Sequence, residues 1–179
     1  MAMIGRYDVT LPTLLDIEAS GFGRGSYPIE IGLARADGST CAFLIQPLAE
    51  WTHWDPKAEL LHGISRGRLL REGHPVSEVA RWLNDELGGV GLAYSDSWGY
   101  DNTWLSLLFH HAGMLPRFRL EALRRLLSDA QLSQWKYTKE ALIREQNIQR
   151  HRAGEDARLL QLTYLRTLGA GALARRPRA

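Results

Sequence analysis

A single mixed α/β domain is the fold class that this sequence predicts. Three observations carry that expectation. The first third alternates short apolar segments with tight turns. The apolar spacing turns helical near residue 77. A short apolar run at 90–97, set between helical stretches, reads as a buried strand. The 179 residues suit one domain with a proper hydrophobic core. No internal repeat or linker divides them. The domain is expected to fill residues 1–172. The basic segment 173–179 is expected to be a disordered tail, because "ARRPRA" offers no apolar pattern to pack.

The elements follow in order. "TLLDIEA" (13–19) is a short strand. "GSYP" is a turn, and "IEIGLARA" (29–36) alternates apolar and other residues like a second strand. "DGST" (37–40) turns again, and "CAFLIQP" (41–47) ends a third strand at Pro47. Short turns between three strands predict an antiparallel meander. "SEVARWLNDEL" (77–87) puts Val79, Trp82, Leu83 and Leu87 at helical spacing, and Gly88-Gly89 ends it. "VGLAYSDS" (90–97) is the buried strand, and "TWLSLLFHHAG" (103–113) a helix closed by Gly113. "FRLEAL" (118–123) is either a strand or a short helix. Two helices follow, one inside 128–147 and one over 155–168.

Composition excludes several classes. A hydrophobic fraction of 45% and a charged fraction of 23% are those of a folded globular chain. Cys41 is the one cysteine, so neither an internal disulfide nor a multi-thiolate zinc site is available, which fits a reducing cytoplasm. The first residues lack the basic start and apolar core of a signal peptide, and no apolar run reaches the roughly 20 residues that span a membrane. A cytoplasmic protein away from membranes is expected. The formal charge of +2 is too balanced to point to nucleic acid by itself. The cations are nearly all arginine, however, and arginine forks onto phosphate and stacks on bases.

Two carboxylates interrupt the first strand, in "LLDIEASGFG" (14–23). Unpaired and buried, each would cost several kcal/mol. On a strand Asp16 and Glu18 point to the same face, about 7 Å apart along it. Such oxygen pairs suit hard divalent cations, although a solvated strand end is the plainer reading of an isolated D-x-E. Gly21 then permits close backbone approach by a ligand, and Phe22 offers a flat apolar face, or simply a core residue after a turn. In "YSDSWGYDNTWL" (94–105), Asp101 follows the buried strand and starts a helix, with Asp96 a second acidic candidate; a plain N-cap at Asp101 or Asn102 competes. In "HRAGEDARLLQL" (151–162), Asp156 lies in or near a first helical turn and His151 precedes it by five residues. Other groups read as structural: His110-His111 at a helix end, Cys41 in a strand, and Ser95 and Ser97 without the glycines of a nucleophile elbow.

In this order the three segments resemble the motifs of the DEDDh-type 3′–5′ exonucleases, the group that includes ribonuclease T, oligoribonuclease and the proofreading subunit of bacterial replicative polymerase. "DIEASGFG" resembles the first motif, "YSDSWGYDNTWL" the second and "HRAGEDA" the third. "LHGISRGRL" (61–69) resembles a segment that such proteins carry between the first two. The likeness spans roughly residues 12–168. Asp96 and Ser97 stand where the group often has His and Asn, Tyr100 replaces a commoner Phe, and Ala19-Ser20 replaces Thr-Thr or Thr-Ala.

The resemblance implies a ribonuclease-H-like fold: a mixed five-stranded sheet, three strands antiparallel and two parallel, flanked by helices. It implies two divalent ions, Mg²⁺ or Mn²⁺. Asp16, Glu18 and Asp156 would hold one, and Asp16 would share the other with Asp101. His151 would be the general base, a task that suits an imidazole titrating near neutrality. Ser20, Gly21, Phe22, His62 and Ile64 would contact the substrate. That substrate would be the 3′ end of single-stranded DNA or RNA, shortened by release of nucleoside 5′-monophosphates. Homodimers occur in the group, and so do polymerase-bound subunits, so both partners stay open. A non-catalytic nucleic-acid-binding module and a phosphoesterase acting on small nucleotides are the competing readings. The Arg-rich segments 66–74, 117–125 and 144–152 are either phosphate contacts or solvated faces.

Overall fold

The first apolar run builds β1 (Leu14–Ala19), and its alternation decides the layout of the molecule. The computed structural model describes residues 11–174. β2 (Pro28–Ala34) follows through an eight-residue loop and β3 (Thr40–Leu44) through a shorter turn, and the three strands pair antiparallel, so the expected meander forms. In the turn between β2 and β3 the Asp37 carboxylate accepts the Ser39 N–H at 2.8 Å, and Gly38 takes φ +84°. β3 stops at Leu44, short of the predicted Pro47, and Ile45 bridges in parallel to His74. β4 (Leu92–Ser95) pairs parallel to β1, and β5 (Arg119–Ala122) parallel to β4. The sheet order is β3-β2-β1-β4-β5. The segment 118–123 therefore resolves as a strand over Arg119–Ala122, followed by a 3₁₀ turn at Leu123–Arg125.

Six helices flank the sheet: α1 (Pro56–His62), α2 (Arg66–Glu72), α3 (Val76–Leu87), α4 (Trp98–His111), α5 (Asp129–Gln146) and α6 (Ala153–Ala174). The first two escape an apolar-period reading because seven residues make only two turns. Their caps are nonetheless written in the sequence. Asp55 accepts from Lys57 N–H ahead of Pro56, and Ser65 accepts from Arg68 N–H. α4 begins at Trp98 rather than at residue 103. α6 starts at Ala153 and runs to Ala174, which takes in the first two residues of the predicted tail; 175–179 lie outside the described residues. Among the described residues no helix is long and apolar enough to cross a membrane.

Each face of β1 has its own partners. Leu15 and Ile17 join the large core with Val79 and Leu83 of α3 and Leu105 and Leu108 of α4. Leu14 packs on the other face with Ala157 and Leu160 of α6. Asp16 and Glu18 share Leu14's face, so both look toward α6. β2 is buried at all seven positions, because α6 covers one face and α4 the other. Gly32 makes the close seat possible. A Cβ there would fall 2.2 Å from Ala153 C and 2.3 Å from Gly154 N, so the first turn of α6 rests on bare β2 backbone. Gly32 is also the register partner of Asp16. The start of α6 is thereby delivered beside the two strand carboxylates.

Candidate active site

Three elements converge on the C-terminal half of β1. Asp16 and Glu18 come from the strand itself. Asp101 sits in the first turn of α4, whose N-cap is Ser97, so Asp101 is not a cap. It is 1% exposed, and the Ser95 hydroxyl at the end of β4 donates to it. Asp156 lies in the first turn of α6. His151 precedes that helix in a left-handed conformation, φ 64°, which turns its main-chain N–H onto the Asp156 carboxylate at 2.8 Å. Arg150 Nε donates to the other Asp156 oxygen at 2.5 Å. Ligand atoms of Glu18, His151 and Asp156 lie within 4.8 Å of one another. These three, with Asp16 and Asp101, line one cleft of about 400 Å³.

An ion pair between a buried carboxylate and a half-buried arginine fixes the loop that carries His151. Glu30, 1% exposed on β2, accepts Arg152 Nη2 at 2.6 Å and Nε at 3.1–3.2 Å, and also the Ala153 N–H at 2.9 Å. Glu30 is the register partner of Glu18. The strand pair that places one carboxylate in the cleft thus anchors the loop opposite through the other. Neither Glu30 nor Arg152 carries a motif signature of its own, and the reading of the sequence missed both.

The site is electrostatically costly. Burial is the main reason that Asp16 is held well above the ordinary carboxylate range, and Asp101, Glu18, Asp156 and Asp96 add to it. Burial, then Asp156 and Glu30, push Glu18 up to about 7 against the opposing pull of Arg150 and Arg152. Burial likewise lifts Asp101 to about 7 despite the Ser95 hydrogen bond. Hard oxygen donors crowded to this degree fit a divalent cation of the Mg²⁺ or Mn²⁺ kind, and Glu18, His151 and Asp156 are already within joint reach. Glu18 and Asp101 hold protons in the fold that the unfolded chain releases near its ordinary carboxylate pKa. In EDTA, the contribution of these two groups to stability is therefore fully present below about pH 4 and is lost as pH rises through about 7. Millimolar Mg²⁺ or Mn²⁺ at pH 7.5 is expected to raise the melting temperature by about 5–10 °C, the effect of a ligand near 100 Kd. Scanning fluorimetry at pH 5–8 with and without metal checks both; a flat profile unmoved by metal would sink the cation site.

The expected substrate contacts divide. Gly21, Phe22 and His62 line the cleft. Phe22 is 66% exposed rather than tucked into the core, and its ring stands 5.1 Å from Tyr100 and 6.0 Å from Trp104, forming an aromatic rim. Tyr100 and Trp104 are four apart on α4 and stack at 5.7 Å, a spacing that the sequence does show. Gly21 has a second reason to be glycine. Its φ is +137°, and a Cβ would lie 2.5 Å from Asp55 Cβ. Ser20 and Ile64 are not among the residues lining the cleft. The Ser20 hydroxyl is hydrogen-bonded to His53 Nδ1 at 3.0 Å and accepts the Tyr27 N–H at 3.1 Å, and Ile64 is wholly buried in the main core. In this structure both side chains are held within the fold, behind the residues that line the cleft. Asp96 lies on the cleft wall, paired with Lys139 at 2.9 Å.

No protein-family model matches the chain, and no curated protein matches it by sequence. Solved structures do match. Exonuclease I of Methylocaldum szegediense superposes with a TM-score of 0.65 at 15% identity, over 93% of this chain and 42% of that one. E. coli exonuclease I in complex with a dA13 oligonucleotide gives 0.60 at 14% identity, over 87% and 40%. Its zinc-bound form with single-stranded DNA gives 0.63 at 15%, over 92% and 42%. The shared architecture is the ribonuclease-H-like fold, a mixed five-stranded sheet flanked by helices. This chain spans less than half the length of the exonuclease I chains that it matches, 40–47% of them. The mixed sheet and its flanking helices are thus the expected ones.

Proposed function

We propose that this chain is a metal-dependent 3′–5′ exonuclease acting on single-stranded nucleic acid and releasing nucleoside 5′-monophosphates. The observation that carries the reading is the meeting of Glu18, His151 and Asp156 within 4.8 Å, in one cleft with Asp16 and Asp101. The exonuclease I fold supports it, since several of those structures are complexes with single-stranded oligonucleotides. Asp16, Glu18 and Asp156 would hold one divalent ion, and Asp16 and Asp101 a second. When bound, such ions supply Lewis-acid stabilisation of the phosphoryl oxygens and lower the pKa of water.

The remaining work falls to the chain's own groups. His151, held over the cleft by its left-handed backbone, takes a proton from the attacking water at a ring nitrogen. Phe22, with Tyr100 and Trp104 behind it, presents a flat apolar face to the terminal base. His62, buried at the cleft wall, has its Nδ1 committed to the Ile64 N–H at 3.0 Å. Its ring is therefore the neutral tautomer protonated at Nε2, in keeping with a pKa lowered by burial.

The test is a gel assay of 5′-labelled DNA and RNA strands in Mg²⁺, Mn²⁺ and EDTA. A ladder shortening from the 3′ end in metal alone is the expected result; uncut strands of both kinds, with folded and metal-loaded protein, would refute the activity and favour a binding module. Phe22→Ala is expected to raise KM about tenfold, within the 1–3 kcal/mol of one base–aromatic stack, while the metal-induced melting shift stays as in the parent. Loss of both together would remove Phe22 from the substrate.

A further inference from the structure

A second hollow opens out of the cleft. The two meet at Asp96, Lys139 and Arg150, which line both. The second has a volume of about 510 Å³ and lies between the 3₁₀ turn after β5 and α5. Its walls are leucine and isoleucine side chains with the half-buried Trp135 among them. Four cations line it, Arg124, Lys136, Lys139 and Arg150, against two carboxylates. Lys136 and Lys139 are two of the chain's three lysines. Lys139 and Arg150 are engaged by Asp96 and Asp156, whereas Arg124 and Lys136 are exposed and, among the described residues, have no carboxylate within ion-pair distance. Phe22, Tyr100 and Trp104 line the first hollow only. The aromatic rim and the carboxylates thus share one chamber, and a basic, partly apolar channel leads away from it.

We propose that this channel binds the single strand upstream of its 3′ end, with phosphates on Arg124 and Lys136 and a base against Trp135. The proposal rests on the exonuclease reading and deepens it. A strand with its terminal phosphodiester over the carboxylates must leave the cleft, and the exit past Arg150 and Lys139 leads to the exposed cations Arg124 and Lys136. In a chain of net charge +2, such local clustering is the electrostatic feature that a polyanion would find. Interleaved cations and an aromatic side chain are what a single strand needs, because every base has a flat face and every residue of the strand a phosphate. The channel also falls within the roughly 300–1,000 Å³ of sites that enclose small ligands, which limits it to one or two nucleotides.

The experiment compares the parent with an Arg124→Gln/Lys136→Gln double variant and with Trp135→Ala. Both positions of the double variant are exposed, so its folding is not at risk. Binding is read in Mg²⁺ by fluorescence anisotropy, with a labelled ten-nucleotide strand whose phosphorothioate linkages resist cutting. Cleavage is read as the ratio of kcat/KM for an unmodified decamer over that for a dinucleotide. The double variant is expected to bind the decamer at least tenfold more weakly at low salt. Its log K against log salt should be shallower by about 1.4, the share of two single-strand phosphate contacts. The decamer preference should fall by a similar factor, and Trp135→Ala should also weaken decamer binding. Parent-like binding and length preference in the double variant would overturn the proposal. A parent that binds through these residues but cuts nothing would leave the channel standing and fell the exonuclease reading instead.

Discussion

Asp16→Asn is expected to abolish cleavage and, at the same time, to make the metal-free protein harder to melt. The two effects share one cause. Asp16 is the carboxylate on which Asp101, Glu18, Asp156 and Asp96 all press, and burial raises its cost further. Removing its charge relieves that repulsion in EDTA, so the melting temperature should rise at roughly 2–4 °C per kcal/mol gained. The same change removes the ligand proposed to be shared by both ions. Losing several kcal/mol of charge stabilisation corresponds to a fall in kcat/KM of about 10³-fold or more. The melting rise on adding metal should shrink in parallel. Fluorimetry and the gel assay on one preparation decide the matter. A variant that keeps cutting would eject Asp16 from the site, and one that is inactive but less stable without metal would mean that the cluster is not under repulsive strain.

Arg152→Ala is the substitution with the largest expected cost in stability, about 3–5 kcal/mol by urea unfolding. It leaves Glu30, 1% exposed, as a buried carboxylate with the Ala153 N–H as its remaining donor. Cleavage should fall further than unfolding explains, by about 10²-fold at a temperature where the variant is folded, because the loop bearing His151 loses its tie to β2. Arg152→Lys restores the charge without the two-pronged grip, and should recover more stability than activity. Unchanged unfolding in Arg152→Ala would show that the pair does not hold the loop.

These two residues also mark the limit of what the sequence discloses. Asp16 and Glu18 are legible because two charges inside an apolar strand demand an explanation. Asp101, His151 and Asp156 gain meaning from their order along the chain. Glu30 is silent: in "IEIGLARA" it reads as one solvated position of a half-exposed strand, and only the covering of both faces of β2 turns it into a buried anchor. Arg152 reads as one cation in an Arg-rich segment, and its partner is 122 residues away. Ser20 and Ile64, buried behind the cleft lining, show a related limit. Sequence proximity to a motif does not say which way a side chain faces at a bend, and both face inward here. The helices α1 and α2 are marked by Asp55-Pro56 and Ser65, capping signals that carry no apolar period because each helix has only seven residues.

Gly32 has a consequence for how the site tolerates change. The spacing between the strand carboxylates and those on α6 is set where main chain meets main chain, at a contact that would admit no Cβ. Backbone in contact with backbone acts as a mechanical stop. It has no rotamers to relax and no volume to be refilled by a neighbour. Substitutions among Leu14, Ala157 and Leu160 can change how firmly the helix is pressed against the sheet, but not where it comes to rest. A library drawn from those core positions should therefore scatter widely in melting temperature and narrowly in metal affinity, with Gly32→Ala standing apart from it on both axes.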